Sequence, residues 1–270
     1  MLRKIKETST FIQTAIGIKV EIGVILGTGL GGLVNEIEII KTLPYAEIPN
    51  FPLSTVEGHQ GKLIFGKLGG KYILAMQGRF HFYEGYDMTK VTFPVRVMND
   101  LGINTLLVSN ACGGLNPDFA VGDLMMITDH INMFGFNPLT GPNLDQLGPR
   151  FPDMSQAYDL QLQAHARKIA ANNHLDLKEG VYIGVTGPTF ETPAEYKMFR
   201  ILGGDAIGMS TVPEVIVARH MGIRVFGISI VTDSGVPGHI VEISHEEVQE
   251  VAKRAEPKMS LIIKELIAIL

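Results

Sequence analysis

Arg79, His81 and Tyr83 alternate along Gly78-Arg79-Phe80-His81-Phe82-Tyr83-Glu84-Gly85-Tyr86, so an extended chain would turn all three to one side. A guanidinium presents a planar fork of donors that suits phosphate oxygens, and an imidazole on the same side adds a further polar partner. Read singly, Arg79 is an ion-pair arginine and His81 a satisfied core histidine; read together after an apolar run, they form an anion site. Gly27-Thr28-Gly29-Leu30-Gly31-Gly32 offers a second one, because backbone N–H groups in a glycine turn, with the Thr28 hydroxyl beside them, cradle anions. The string also satisfies G-x-G-x-x-G, the dinucleotide fingerprint, but Pro44, Pro49 and Pro52 occupy the stretch where that unit should close with a crossover helix and an acid-ending strand. Its plain structural reading is a tight turn that needs positive φ.

Further segments place polar or glycine-rich groups after apparent strands: Asn110-Ala111, Gly187-Pro188-Thr189-Phe190-Glu191, Gly208-Met209-Ser210 and Thr232-Asp233. Ligands of α/β sheets bind outside the carboxyl ends of the strands, so segments this distant in sequence are expected to meet around one small molecule. The elements that would position them follow a recurring order of helix, glycine and strand. Leu101-Gly102 leads to Thr105–Ser109, Leu202-Gly203-Gly204 to Ala206–Gly208, and Met221-Gly222 to Val225–Val231. That is the order of an α/β/α sandwich. Lys62 to Met76 breaks at Gly69-Gly70 between two apolar runs and reads as an antiparallel hairpin, so the central sheet is expected to be mixed. Helices are expected near Thr89–Leu101, Gln156–Asn172, Thr192–Leu202, Val212–Met221 and Ser244–Leu270. Nothing resembling a linker divides the chain, so residues 1–270 are read as a single α/β domain. Phe134 to Met154, with Pro138, Pro142, Pro149 and Pro152, is too proline-rich for a helix or central strand, and a loop of that length is usually functional or used at an interface.

Composition sets outer bounds. The 270 residues are 46% hydrophobic, enough to bury a substantial core. A net charge of −5, a pI near 5.9 and no Lys/Arg block argue against nucleic acid or an anionic membrane surface as partner, and for a small ligand. The single Cys112 excludes an intrachain disulfide framework. The start Met1-Leu2-Arg3-Lys4-Ile5-Lys6-Glu7 lacks the apolar run of a signal peptide, and the interrupted run Leu261–Leu270 is well short of the roughly 20 residues of a membrane span, so the cytoplasm is the expected compartment.

Five strings carry a resemblance in order over nearly the whole chain. Gly27-Thr28-Gly29-Leu30-Gly31, Gly78-Arg79-Phe80-His81, Asn110-Ala111-Cys112-Gly113-Gly114-Leu115-Asn116-Pro117, Gly187-Pro188-Thr189-Phe190-Glu191-Thr192 and Gly208-Met209-Ser210-Thr211-Val212-Pro213-Glu214 resemble those of the trimeric purine nucleoside phosphorylases. The resemblance implies cleavage of the N-glycosidic bond of purine nucleosides by orthophosphate, with no metal or organic cofactor, in a homotrimer. It implies that phosphate is held by the Thr28 hydroxyl, Arg79, His81, the Ala111 backbone N–H and the Ser210 hydroxyl. Ribose would lie on Tyr83 and Met209, with His245 at the 5′-hydroxyl and Phe151 lent by the neighbouring subunit. The base would meet Phe190, Glu191, Ile207, Asp233 and Val248, and His59 would sit in a mobile loop over the phosphate. On this reading His81, Glu191 and Asp233 carry the catalysis. Ordinary core packing competes for Met209 and Ile207, and a helix N-terminal acid competes for Glu191 before Thr192-Pro193.

Two features bear on the substrate. Asp233 stands where the 6-oxopurine enzymes of the family usually carry Asn, and an ionised carboxylate only accepts hydrogen bonds. Donation to N7 or O6 needs Asp233 protonated, which burial beside Glu191 would favour. An Asp here and a Thr in the first glycine turn are also features of methylthioadenosine phosphorylases, so a 6-aminopurine or methylthioadenosine substrate is the alternative. Against it, His245 offers a polar partner where a methylthio group needs an apolar wall. The expected substrates are therefore inosine and guanosine, as ribo- or deoxyribonucleosides. A nucleoside hydrolase, a nucleoside sensor without turnover and a dinucleotide-dependent oxidoreductase are the competing classes; the Asp-rich calcium site of the first is not evident in the chain.

Overall fold

The computed structural model describes residues 1–28, 31–55 and 60–270. The chain opens with α1 (Leu2–Ile16), β1 (Ile22–Leu26), β2 (Glu38–Pro44), β3 (Lys62–Leu68) and β4 (Lys71–Gln77). It continues through α2 (Met88–Val91), α3 (Phe93–Asp100), β5 (Thr105–Gly114), β6 (Leu124–Asn132) and α4 (Leu160–Asn172). The last elements are β7 (Leu177–Gly184), α5 (Pro193–Ile201), β8 (Ala206–Gly208), α6 (Val212–His220), β9 (Arg224–Ser234) and α7 (His245–Ala268).

The hairpin expected at Gly69-Gly70 is present as antiparallel β3 and β4, and the three helix, glycine, strand units end in β5, β8 and β9. The helix expected over Thr89–Leu101 is two helices. Pro94 has no N–H to extend α2 but is well placed in the first turn of α3, so the chain restarts at Thr92. The helix expected from Gln156 begins at Leu160, where the Asp159 carboxylate accepts from the Gln161 and Leu162 N–H groups. α1 was not expected. Its buried Ile5, Ile12 and Ile16 share a stripe with Thr8 and Ser9, and Gly17 ends it with φ of 70°.

Successive strand residues point to opposite layers. Ile22, Val24 and Leu26 of β1 and Ile73 and Ala75 of β4 pack under α4 and α7, whereas Ile25, Leu74 and Met76 pack under α1, α3 and α6. The sheet order is β2-β3-β4-β1-β5-β8-β7-β6-β9, with β9 pairing back onto β5. β5, β8, β7, β6 and β9 therefore close into a ring, and the mixed sheet is flat on one side and a small barrel on the other. β5 belongs to both parts: Thr105–Val108 pair with β1 and with β9, and Gly113–Gly114 pair with β8. Among the described residues no helix is long and apolar enough to cross a membrane.

Candidate active site

One cavity opens where β5 leaves the flat sheet for the ring. Thr28, Arg79, His81, Tyr83, Ala111, Phe190, Glu191, Ile207, Met209, Ser210, Asp233, His245 and Val248 all line it. The carboxyl-end expectation holds for Thr28, Arg79, Glu191 and the pair Met209 and Ser210, which follow β1, β4, β7 and β8. It fails for Ala111 and Asp233, which lie inside β5 and β9, and β8 runs antiparallel to β5. Ring closure, rather than a row of parallel strand ends, brings these groups together.

At one end the polar groups suit an anion. Arg79 is almost fully buried and its fork faces Glu214: Nε donates to Oε1 at 3.2 Å and Nη2 to Oε2 at 2.9 Å. Nη1 donates to the Ser109 carbonyl at 2.6 Å and to Ser210 Oγ at 3.3 Å. Gly27 is required here, since a Cβ would lie 2.8 Å from the Ser109 carbonyl and 3.0 Å from Nη1. The alternation expected of Arg79, His81 and Tyr83 is not how they converge. β4 ends at Gln77, Gly78 turns with φ of 109°, and Phe82–Glu84 form a 3-10 turn that stacks the His81 and Tyr83 rings with centroids 4.6 Å apart. Burial lowers the His81 pKa, so the ring is neutral at neutral pH, and its Nδ1 lies 3.2 Å from Glu84 Oε1. Burial alone would raise Glu84, but hydrogen bonds from His81 and from the Thr55 hydroxyl and backbone outweigh it and bring the carboxyl down to about 2. Ser210 precedes Thr211, whose backbone sits at φ 69° and ψ −56°, a conformation rare for a β-branched residue. The Asn110 Nδ2 donates to Thr211 Oγ1 at 2.9 Å and holds it there.

The cavity is also lined by two carboxyls, those of Glu191 and Asp233. Burial first, and then the charge of Asp233, push the Glu191 carboxyl up to about 7. Helix α5 is capped by Thr192 and Glu195 in a capping box, so Glu191 is not used as its cap. Asp233 is raised by burial, as the sequence suggested. It follows a bulge: Cys112 pairs with Val231 and Gly113 with Asp233, leaving Thr232 over, and Thr232 Oγ1 lies 3.0 Å from Asp233 Oδ1. A Cβ on Gly113 would approach Asp233 Oδ2 to 2.9 Å, so a glycine there leaves room for the carboxyl. The Tyr196 hydroxyl donates to Asp233 Oδ2 at 3.2 Å.

Tyr83, Met209 and Ile207 line the cavity as well, with His245 and Val248 from the first turn of α7. His245 Nε2 is buried with no partner among the described residues. Phe151 does not reach this cavity; it is 88% exposed on the proline-rich loop, with the Arg150 guanidinium 5.7 Å from its ring. His59 lies outside the described residues, as do Gly29 and Leu30. Among the described residues no cluster of His, Cys, Asp or Glu is arranged to hold a metal ion. Sequence reasoning missed Glu84, Glu214 and Tyr196. The signals were His81-x-x-Glu84, a lone acid in the apolar run Val212–Ala218, and an aromatic in the first turn of the helix after Glu191.

The family described as "Phosphorylase superfamily" matches residues 21–268. Purine nucleoside phosphorylase 1 of Bacillus subtilis is 52% identical over 268 residues, covering 99% of both chains. A Schistosoma mansoni purine nucleoside phosphorylase solved in complex with adenosine is 42% identical with a TM-score of 0.94, over 99% of this chain and 97% of that one. A schistosome purine nucleoside phosphorylase in complex with hypoxanthine superposes with a TM-score of 0.93 at 42% identity and the same coverage.

Proposed function

The chain belongs to the phosphorylase superfamily, among the purine nucleoside phosphorylases, and on that premise we propose how its cavity divides the work of phosphorolysis. The observation that carries the reading is one cavity lined both by anion donors, Arg79, His81 and Ser210 among them, and by two raised carboxyls, Glu191 and Asp233. Orthophosphate binds to Thr28, Arg79, His81, the Ala111 N–H and Ser210. Because Glu214 already balances the Arg79 charge, directional N–H and O–H donors do most of the holding. Ribose lies against Tyr83 and Met209, and the unpartnered His245 Nε2 meets its 5′-hydroxyl.

Chemistry follows from this placement. As the C1′–N9 bond lengthens, positive charge grows on the sugar and negative charge on the purine. The phosphate beneath C1′ stabilises the first and supplies the oxygen that forms the new bond; positioning replaces an encounter in solution. Glu191 accepts from N1–H of a 6-oxopurine, and a protonated Asp233 donates to N7 or O6, relieving charge on the departing base. Phe190, Ile207 and Val248 cover its faces. The products are the free purine and ribose or deoxyribose 1-phosphate. Inosine and guanosine fit this donor pattern, and no metal or organic cofactor enters it. The working unit is a homotrimer in which Phe151 closes the sugar pocket of a neighbour, and the compartment is the cytoplasm.

The test is release of hypoxanthine from inosine in metal-chelated buffer, with and without orthophosphate. Phosphate-dependent release is expected. Release that is equally fast without phosphate would make the enzyme a hydrolase and remove the role given to Arg79 and His81.

A further inference from the structure

We propose that Asn110 and Thr211 are positioning residues for phosphate: together they run a chain of hydroxyl protons in one direction, so that Ser210 meets the anion as a fixed donor. This rests on the phosphorolysis reading above.

The chain is read from three hydrogen bonds. Asn110 Nδ2 donates to Thr211 Oγ1 at 2.9 Å, Thr211 Oγ1 lies 3.1 Å from Ser210 Oγ, and Arg79 Nη1 donates to Ser210 Oγ at 3.3 Å. An amide N–H and a guanidinium N–H can only donate, and between them the two hydroxyls have one proton each to give. Thr211 is fully buried, and among the described residues its hydroxyl is hydrogen-bonded to Asn110 and Ser210 alone. Asn110 meets it as a donor, so the Thr211 proton goes to Ser210 Oγ; any other direction leaves a buried donor unpaired. Ser210 Oγ then accepts twice, from Thr211 and from Arg79, and its own proton is left for the cavity it lines.

The backbone and the burial of Asn110 hold this direction. Neighbouring side chains of an extended chain point to opposite sides, yet the Ser210 and Thr211 hydroxyls touch. They do so because the Val212 N–H donates to the Ser210 carbonyl at 2.7 Å across Thr211, whose φ of 69° and ψ of −56° make the rare, strained form of γ-turn. Asn110 is 1% exposed, and its Oδ1 has no partner among the described residues. Turning the amide over would put two N–H groups without acceptors where one bare oxygen now lies, which costs more. Asn110 also directly precedes Ala111 on β5, so the residue that orients Ser210 adjoins the backbone N–H assigned to the same phosphate. A hydroxyl already fixed as donor serves a charged ligand better than one that must first turn, and linked hydrogen bonds strengthen one another.

The experiment measures KM for orthophosphate and for inosine in the wild type, Thr211→Val, Thr211→Ser, Asn110→Ala and the double variant Asn110→Ala/Thr211→Val. Thr211→Val keeps the branched side chain and loses the hydroxyl; its KM for orthophosphate is expected to rise about tenfold, with KM for inosine within about twofold. Thr211→Ser should return to within about twofold of the wild type. Asn110→Ala should match Thr211→Val, and the double variant should lose no more than the worse single one, since a chain breaks once. Losses that multiply to about a hundredfold would show two independent contacts, and equal rises in both KM values would reduce the pair to packing; either overturns the proposal. Should the variants fail to fold, neutron diffraction from deuterium-exchanged wild-type crystals with and without orthophosphate decides. The Thr211 deuteron is expected to point at Ser210 in both, and the Ser210 deuteron at the phosphate; a Ser210 deuteron turned to Thr211 overturns the chain. Absence of phosphate-dependent release from inosine would instead sink the phosphorolysis reading, leaving the Thr211 deuteron in the ligand-free crystal to judge the chain by itself.

Discussion

Glu191 is held where an anion is least comfortable, and that discomfort has a measurable cost. Its pKa in the folded chain is about 7, raised from the ordinary 4.5 mainly by burial and then by Asp233. A raised carboxyl contributes stability that is fully present below about pH 4.5 and is lost as pH rises through about 7. Glu191→Gln cannot ionise and escapes that loss. Its melting temperature is therefore expected to match the wild type near pH 4 and exceed it near pH 8, by a free energy of up to ~3 kcal/mol. A difference that does not change with pH would mean the carboxyl is not perturbed. The same charge is what the reaction uses. Glu191→Ala should lower kcat/KM for inosine by about two to four powers of ten, because an interaction that strengthens as charge reaches the purine is lost. An unchanged rate would remove Glu191 from base recognition.

At the scale of elements, the site depends on contacts that join distant parts of the chain. The Arg79–Glu214 pair spans 135 residues and ties the turn after β4 to the first turn of α6, beside Ser210 and Thr211. Both partners are almost fully buried. Glu214→Ala leaves a buried guanidinium uncompensated, which typically costs about 3–5 kcal/mol. The variant should melt well below the wild type, and its KM for phosphate should rise more than its KM for inosine, as Nη1 loses its alignment on Ser210. Equal changes in both constants would place the effect in general loosening. This pairing also marks the limit of what the chain reveals unfolded. Glycine stops at Gly102, Gly203 and Gly222 announce the strands that follow them, and Gly69-Gly70 announces a hairpin, because those signals are local. The convergence of Thr28, Arg79, Ser210 and Glu191 was legible because they fall within a family's motifs, and that of Asp233 because it follows an apolar strand, although its residue type departs from the family's usual Asn. Closure of β9 onto β5, the bulge at Thr232 and the reversed direction of β8 arise from long-range pairing, and no residue near them signals it. α1 was passed over because its mixed Lys, Thr and Ser content hides a stripe that shows only at helical spacing.

At the scale of the whole molecule, the question is what covers Phe151. A single exposed apolar side chain is unremarkable in a soluble protein, but Phe151 is 88% exposed and Phe136 on the same loop is 58% exposed. The loop is not slack: Arg150 Nη1 donates to the carbonyls of Leu139 at 3.2 Å and Gly141 at 2.8 Å, so the ring is presented from a fixed base. Burying one Phe side chain against a neighbour is worth roughly 1.5–3 kcal/mol, which corresponds to about a ten- to hundredfold change in binding if that neighbour's sugar pocket is what it covers. Under the proposed shared pocket, Phe151→Ala is therefore expected to raise KM for inosine at least about tenfold with the elution volume of the wild type retained. Mixing supplies the decisive version. On the proposed reading, a chain with Phe151→Ala keeps Glu191 but would close no neighbour's pocket, and a chain with Glu191→Ala would close a pocket but lack the base carboxylate. Each alone should be slow. After subunit exchange, some sites combine an intact Glu191 with an intact neighbouring Phe151, and activity at low inosine should exceed the sum of the separate proteins. Exchange verified by mass with no gain in activity would confine Phe151 to its own chain, and a fully active monomer on a sizing column would end the shared-pocket reading outright.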